Sequence, residues 1–297
     1  LFKASLKLFL GATAIGFAPI FAKLLIVDGG VSPIGSGFWR MFIGSLGFLI
    51  LVLANRDQRK AKGEVVRLLR DSAGSALMAG LLFAGDLMAW HTSFLYTSVG
   101  ASSLIANLSA ILVPLAGVLF FKETLQVNVV LGGALAFSGL GGLTFLKPEH
   151  LQAAHDSWRF LGEGLAFMTA FFYTGYMISI KTLAGRYSSR MLMLISSCVS
   201  ALALGAVAIL LREPILPNHE VGWLWAICVG LISQVIGQGL VASSLAVLPV
   251  GQSAILLLWA PISTAIFGWL IFNEAMSTGQ IWSMLLMVFG IGIVARR

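Results

Sequence analysis

The sequence predicts an all-α polytopic membrane protein of ten transmembrane helices, arranged as two inverted five-helix repeats. Composition, the spacing of apolar segments and an internal repeat carry that prediction. Of the 297 residues, 58% are hydrophobic and only 10% are charged, with a mean hydropathy of +0.95. Soluble domains hold about 45–50% apolar and about 25% charged residues. A crossing helix needs roughly 20 residues, so the chain has room for about ten if the connections are short.

Apolar segments fall at 4–26, 33–54, 72–94, 98–120, 126–146, 159–181, 190–211, 221–243, 249–271 and 276–295. The interval from Val221 to Asn273 is 53 residues without a charge, long enough for two spans turning at Pro249. Before the first span there is no charged n-region, apolar h-region and cleavage site distinct from it, so no removable signal is expected. Cys198 and Cys228 both lie inside apolar runs and read as packing residues rather than a disulfide or metal pair.

The segment from Ser98 to Gly142 recurs 151 residues later without a gap, laying Gly100 on Gly251, Ser102 on Ser253, Phe121 on Phe272, Glu123 on Glu274, Gly139 on Gly290 and Gly141 on Gly292. Such self-similarity marks an internal repeat. The repeats are expected at 1–146 and 159–297, joined by an external linker at 147–158. A half of five spans makes its successor start on the opposite side of the bilayer, so the halves are inverted about an axis in the membrane plane. That architecture belongs to transporters and places a substrate site near the midplane between the halves, in a water-accessible hollow.

Cytoplasmic loops retain Lys and Arg. With the N-terminus inside, thirteen basic residues fall in cytoplasmic segments (Lys3, Lys7, Arg56, Arg59, Lys60, Lys62, Arg67, Arg70, Lys122, Arg186, Arg190, Arg296 and Arg297), against Lys147, Arg159 and Arg212 outside. Both termini are therefore expected in the cytoplasm. The net charge of +7 reads mainly as a topology signal. The basic segment 55–71 is expected to lie against anionic lipid, and no basic-aromatic interleaving points to nucleic acid.

Several motifs support a family resemblance. Each half begins with a helix ending in an aliphatic-lysine motif, FAKLL with Lys23 and SIKTL with Lys181. FWR places Arg40 early in the second helix, LVPLAGVLFFKE places Pro114 and Glu123 in the fourth, WLIFNE places Glu274 in the ninth, and a Gly-rich helix follows each glutamate. With these features the chain resembles the ten-helix drug/metabolite transporter superfamily with two EamA-type halves, over nearly its whole length. One departure is that Pro261 lies thirteen residues before Glu274 while Pro114 lies nine before Glu123, so the fourth and ninth helices need not bend alike. Within the superfamily it looks like the bacterial exporters of aromatic and other amino acids. The resemblance implies export of small organic solutes across the bacterial inner membrane by alternating access. A multidrug or other metabolite exporter of the same fold and an uncoupled facilitator are the alternatives.

The buried polar residues are the candidates for that work. Asp86 lies about 12 Å deep in the third helix and Arg40 about 10 Å deep in the second, at 1.5 Å per residue. An intramembrane carboxylate is costly and by default functional; the alternative is a structural Asp that hydrogen-bonds a neighbouring helix. The similar depths make Arg40 and Asp86 candidate partners, or candidate ligands for the opposite ends of a zwitterion. His91 is five residues from Asp86, about 140° around the helix, which disfavours a proton relay between them. Trp90 shares the Asp86 face, as a cation-binding aromatic or as packing. Gln234 and Gln238, one turn apart in the eighth helix, and Asn107 in the fourth read as cavity-lining or as partners of neighbouring helices. Trp259 falls on one helical face with Gln252, Leu256 and Ser263. Phe171 shares a face with Phe167 and Thr174, near the hydroxyls of Tyr173 and Tyr176, as substrate box or as core. Glu163 reads as a coupling residue or an interfacial carboxylate. Lys23, Lys181, Glu123 and Glu274 sit at span ends and are expected to hold helix ends and loop geometry.

No H-E-x-x-H, G-x-S-x-G or G-x-x-x-x-G-K motif is present, which removes the usual enzyme constellations and an ATP-driven pump from consideration. The expectation is a secondary transporter, not an enzyme. It has no cofactor and no metal, and its partners are a small-molecule substrate and membrane lipid in a chain read as a monomer.

Overall fold

A computed structural model of the protein describes residues 2–54, 58–97, 99–146, 158–272 and 276–295. The expected positions of Arg56, Lys147, Glu274, Arg296 and Arg297, and nearly all of the 147–158 linker, lie outside the described residues. Among the described residues nine helices are long and apolar enough to cross a membrane: Phe2–Val27, Pro33–Leu53, Ala73–Ser93, Ala101–Phe121, Val127–Phe145, Ser189–Leu210, Glu220–Leu245, Val250–Ile271 and Thr278–Ala295. The expected sixth segment forms a helix of 25 residues, Arg159–Leu183, whose glycines, threonines and tyrosines dilute its apolar character. It is counted here as the sixth of ten spans. A further amphipathic helix, Gln58–Asp71, links the second and third spans.

The helix ends follow from local chemistry. Ser32 caps the second span by accepting from Gly35 N at 2.9 Å, with Pro33 in the first turn where its missing N–H costs nothing. Ser188 caps the seventh in the same way, accepting from Met191 N at 3.4 Å. These are corresponding helices of the two halves.

The packing obeys the repeat. The fifth span lies along the tenth, the second along the seventh and the fourth along the ninth. The third packs on the sixth and the first on the eighth, and the first also meets the ninth while the sixth meets the fourth. Exchanging the halves returns the same set of pairs, so each half is built mainly against its twin. Loops pair likewise. The first–second loop meets the seventh–eighth loop through Ser32 N on Pro214 O and Asn218 N on Gly29 O, both 2.8 Å. At the other end, Glu64 and Arg67 of the linking helix bond Ser188 and the Arg186 carbonyl in the sixth–seventh loop.

The fifth and tenth spans approach at their glycines. A Cβ on Gly290 would lie 2.5 Å from Gly132 O and one on Gly139 2.6 Å from Ser283 O, so backbone touches backbone as small-residue helix packing requires. Gly290→Leu is expected to destabilise the protein by about 1–3 kcal/mol through overpacking, read as a lower unfolding temperature in detergent, while Leu at Gly292, where a Cβ meets nothing within 4 Å, leaves it unchanged.

Three spans are interrupted. The first breaks at Phe17 between helices Phe2–Gly16 and Ala18–Val27, because Pro19 has no N–H for the Ile15 carbonyl. The ninth breaks at 257–258, four residues before Pro261 for the same reason, and the fourth breaks at 107–108. Despite their differently placed prolines the fourth and ninth carry matching tight bonds, Leu108 N on Ile105 O and Ala110 N on Asn107 O against Leu258 N on Ile255 O and Ala260 N on Leu257 O. They therefore break within one residue of equivalent places. The eighth span is distorted instead by a π-helical stretch, Val229–Gln238, a form found often at functional sites.

Candidate functional site: a buried polar cluster between the halves

Arg40 and Asp86 are brought together from the second and third spans. Both are buried, at 3% and 6% exposure, and each lies within the other's electrostatic reach. They form no direct ion pair: among the described residues the ion pair is Arg70–Asp71, at the surface. The Arg40 guanidinium lies instead over the Phe83 ring, 5.6 Å from its centroid, a cation–π contact. Phe83 in turn stacks on Tyr176 of the sixth span, with centroids 4.3 Å apart. Tyr173, one turn earlier, faces Arg40 and Asp86 and is within hydrogen-bonding reach of Gln238 in the eighth span.

Gln238 and Gln234 stand on the π-helical stretch, both fully enclosed. Gln234 donates to Ser197 Oγ at 3.2 Å and its side chain fills the space beside Gly44, one turn from Arg40, where a Cβ would come within 2.4 Å of Gln234 Cγ. Four spans, the second, third, sixth and eighth, thus converge on one cluster, with Ser197 of the seventh at its edge. Its polar capacity exceeds its bonds. Ser36 Oγ, Arg40 Nε, Ser233 Oγ, Gln234 Oε1 and Gln238 Oε1 are buried without a hydrogen-bond partner, as are Trp90 Nε1 and His91 Nε2 nearby. Buried orphans of this kind are costly and call for a water or a ligand group.

Other candidates sit elsewhere. His91 uses Nδ1 on the Pro33 carbonyl at 3.2 Å and makes no bond to Asp86, as the 140° offset requires. Trp90 packs edge-on against Phe94 at 5.1 Å. Trp259 turns to the first span, donating to Thr13 Oγ1 at 2.9 Å and meeting Phe9 edge-on; the break at 257–258 rotates it out of phase with Gln252, which donates to Val294 O. Asn107 spends its amide on Ser103 O at 2.7 Å, within its own helix. Phe171 is not in the cluster. It is 53% exposed beside Phe167 and Met168, on the outward side of the sixth helix, while Tyr173, Thr174 and Tyr176 turn inward. At the place where the hollow between the halves is expected, Arg40, Asp86, Gln234 and Gln238 are all buried.

Phe83, Ser36 and Ser197 belong to the site and were not singled out from sequence. Phe83 precedes Asp86 by three residues and Ser36 precedes Arg40 by four, so both share those residues' helical faces. Ser197 lies in the polar run Ser196-Ser197-Cys198 of the seventh span.

A second constellation closes the end of the molecule that carries the termini. Glu123, at the end of the fourth span, accepts from Val250 N at 2.8 Å and Gly251 N at 3.2 Å, capping the ninth. Lys181, at the end of the sixth, donates to Leu245 O at 2.9 Å and Leu248 O at 2.7 Å, capping the eighth. A carboxylate on the unpaired N–H groups of one helix end and an ammonium on the unpaired carbonyls of the other each match the helix dipole. Together they clamp the turn between the eighth and ninth spans from both sides. Lys23, the counterpart of Lys181, is exposed.

Comparison with known proteins completes the assignment. No curated protein matches the chain. A protein of known crystal structure, described only as a protein, is similar in fold: it superposes with a TM-score of 0.81 at 17% identity, over 98% of this chain and 96% of its own. The EamA-like transporter family matches twice, over residues 2–145 and 160–296, the two halves that the packing pairs. On that match, the chain belongs to the EamA-like transporter family and is a multi-pass membrane transporter of small solutes.

Proposed function

We propose that this transporter is a secondary exporter of amino acids, aromatic ones included, working by alternating access in a bacterial inner membrane with both termini in the cytoplasm. The observation that carries the reading is the relation of Arg40 to Asp86: a basic and an acidic side chain, both buried and within each other's electrostatic reach but without an ion pair, among orphaned amide and hydroxyl groups. Opposite charges in a low-dielectric interior collapse onto each other unless something separates them or each has another task. The carboxylate and ammonium of a zwitterion satisfy both at once, and the Phe83 ring beside Arg40 offers apolar surface to its side chain.

The cluster is buried, and loops of the two halves bond each other at both ends of the molecule. Transport requires the halves to rock apart on one side at a time around the cluster. The breaks at Phe17, 107–108 and 257–258 and the π-helical stretch supply the places where spans bend, while the glycine-packed fifth and tenth spans move least.

Counterflow in proteoliposomes tests the proposal. Labelled phenylalanine or another amino acid is expected to enter faster when the same unlabelled solute is loaded on the opposite side, since a carrier returns loaded. Absence of acceleration, with uptake simply following the gradient, identifies a pore. Acceleration by cationic drugs and not by amino acids overturns the substrate class.

A further inference from the structure

The linking helix Gln58–Asp71 and the crevice beneath it carry a site that the transport reading leaves unused. The helix has two faces. Glu64, Arg67 and Leu68 turn toward the protein: Glu64 and Arg67 bond the sixth–seventh loop, Arg67 lies 5.1 Å over the Tyr187 ring, and Leu68 is fully buried. Lys62, Val66, Leu69 and Arg70, at spacings of four, three and one, occupy the opposite arc. All four are exposed, Val66 by 64% and Leu69 by 58%. An exposed apolar pair flanked by basic side chains is the pattern of a helix lying in the membrane interface.

Directly below lies a crevice of ≈ 250 Å³ lined by Leu68, Leu69, Ala73, Gly74, Ala76, Leu77, Ile195 and Val199. Every lining side chain is apolar. Its walls are the first turns of the third span and the second and third turns of the seventh, so it runs from the interface into the hydrocarbon layer. A Cβ on Gly74 would meet nothing within 4 Å, and Leu77 and Met78 beside it are about half exposed, at 50% and 52%. Arg70 follows the lining residue Leu69 directly and is exposed, as are Arg186 just before the seventh span and Arg190 at its start, where Arg190 reaches Leu51 O at 3.5 Å. Two acids lie among these cations. Glu64 is engaged with Ser188, and Asp71 is bonded to Arg70 at 2.7 Å, a bond that holds the Asp71 carboxyl below the usual carboxylate range.

We propose that the linking helix and this crevice form a binding site for one anionic glycerophospholipid, its phosphate held at the Lys62–Arg70 face and one acyl chain seated between the third and seventh spans. Charge selects the headgroup and the dry crevice selects the chain, so neither a zwitterionic lipid nor a free phosphate compound meets both requirements. The site bears on transport because the same helix ties the second–third connection to the sixth–seventh loop. A lipid seated there braces one half against the other.

Native mass spectrometry of the full chain, released from detergent, tests this with three probes: phosphatidylglycerol, phosphatidylcholine of the same chain length, and glycerol 3-phosphate. Phosphatidylglycerol is expected to give a saturable one-to-one adduct, at least about fivefold tighter than phosphatidylcholine, as roughly one Lys or Arg contact contributes; glycerol 3-phosphate gives none. The double variant Lys62→Gln, Arg70→Gln is expected to remove the preference between the lipids, and Gly74→Leu, which fills the crevice, to weaken both. As a measurement independent of folding defects, a tryptophan introduced as Leu77→Trp is expected to be quenched more by brominated-chain phosphatidylglycerol than by its phosphatidylcholine analogue. Equal affinity for the two lipids, or unchanged binding in Gly74→Leu, overturns the proposal, and a glycerol 3-phosphate adduct equal to that of the lipid shows a headgroup site without a chain.

Discussion

Asp86→Asn is expected to lower amino acid counterflow by about tenfold or more while Asp86→Glu retains a substantial part of it. The argument rests on charge rather than shape. Asparagine fits where aspartate sits, but it removes the negative partner that a substrate ammonium needs, and a charge-assisted hydrogen bond is worth about 1.5–3 kcal/mol, one to two orders of magnitude in affinity. It also leaves the buried Arg40 guanidinium without an opposite charge nearby, because the Phe83 ring at 5.6 Å offsets only part of the desolvation. A modest fall in unfolding temperature is therefore expected too. Measuring both separates the effects: a stable protein that binds no substrate supports the binding role, and a variant that carries substrate as well as the native protein at every pH removes Asp86 from both binding and coupling.

The second large effect is expected at the clamp on the eighth–ninth turn. In Glu123→Ala, Val250 N and Gly251 N lose the carboxylate that accepts from them. Glu123 is half-buried, so the loss is set at about 2 kcal/mol, the lower part of the charged-bond range. Lys181 still holds Leu245 O and Leu248 O, so the turn opens more often without coming free. In a background lacking Cys198 and Cys228, a cysteine at the buried position Leu248 is expected to react with a membrane-impermeant maleimide about thirtyfold faster when Glu123 is alanine. Glu123→Gln, which keeps one acceptor, falls between. Identical labelling rates in all three would mean that the clamp does not hold this end shut. Loss of transport without a change in labelling would assign Glu123 to some other step.

The reach of the sequence differed from residue to residue. Depth alone makes Arg40 and Asp86 candidate partners, because a crossing helix converts position in the chain into height in the bilayer, and the structure puts them within electrostatic reach without an ion pair. Height is one coordinate of three, and Phe171 shows what is missing. At mid-helix it looked equivalent to Tyr173 and Tyr176, yet 53% of it is exposed, because in a span surrounded by lipid both faces are apolar and periodicity no longer separates inside from outside. Trp259 went astray for a different reason. The spacing that groups it with Gln252 assumes an unbroken helix, whereas the span is interrupted four residues before Pro261. The equivalent break at 107–108 had no such signal nearby, since Pro114 lies further along. The clamp at the eighth–ninth turn was half legible: Lys181 and Glu123 were placed at span ends as residues that hold helices, but neither chain position names the helix held, which in both cases belongs to a different part of the molecule.

Apolar run length, the placement of lysine and arginine and the recurrence at 151 residues determined the number of crossings and the presence of two related halves, because lipid leaves so few ways to satisfy a backbone. Tertiary structure decided which of the buried polar groups meet, that Arg40 and Asp86 lie within electrostatic reach without an ion pair, and that the cluster around them is buried. Those outcomes depend on the rotation of each span about its own axis and on which neighbour it lies against, and a uniformly apolar surface records neither.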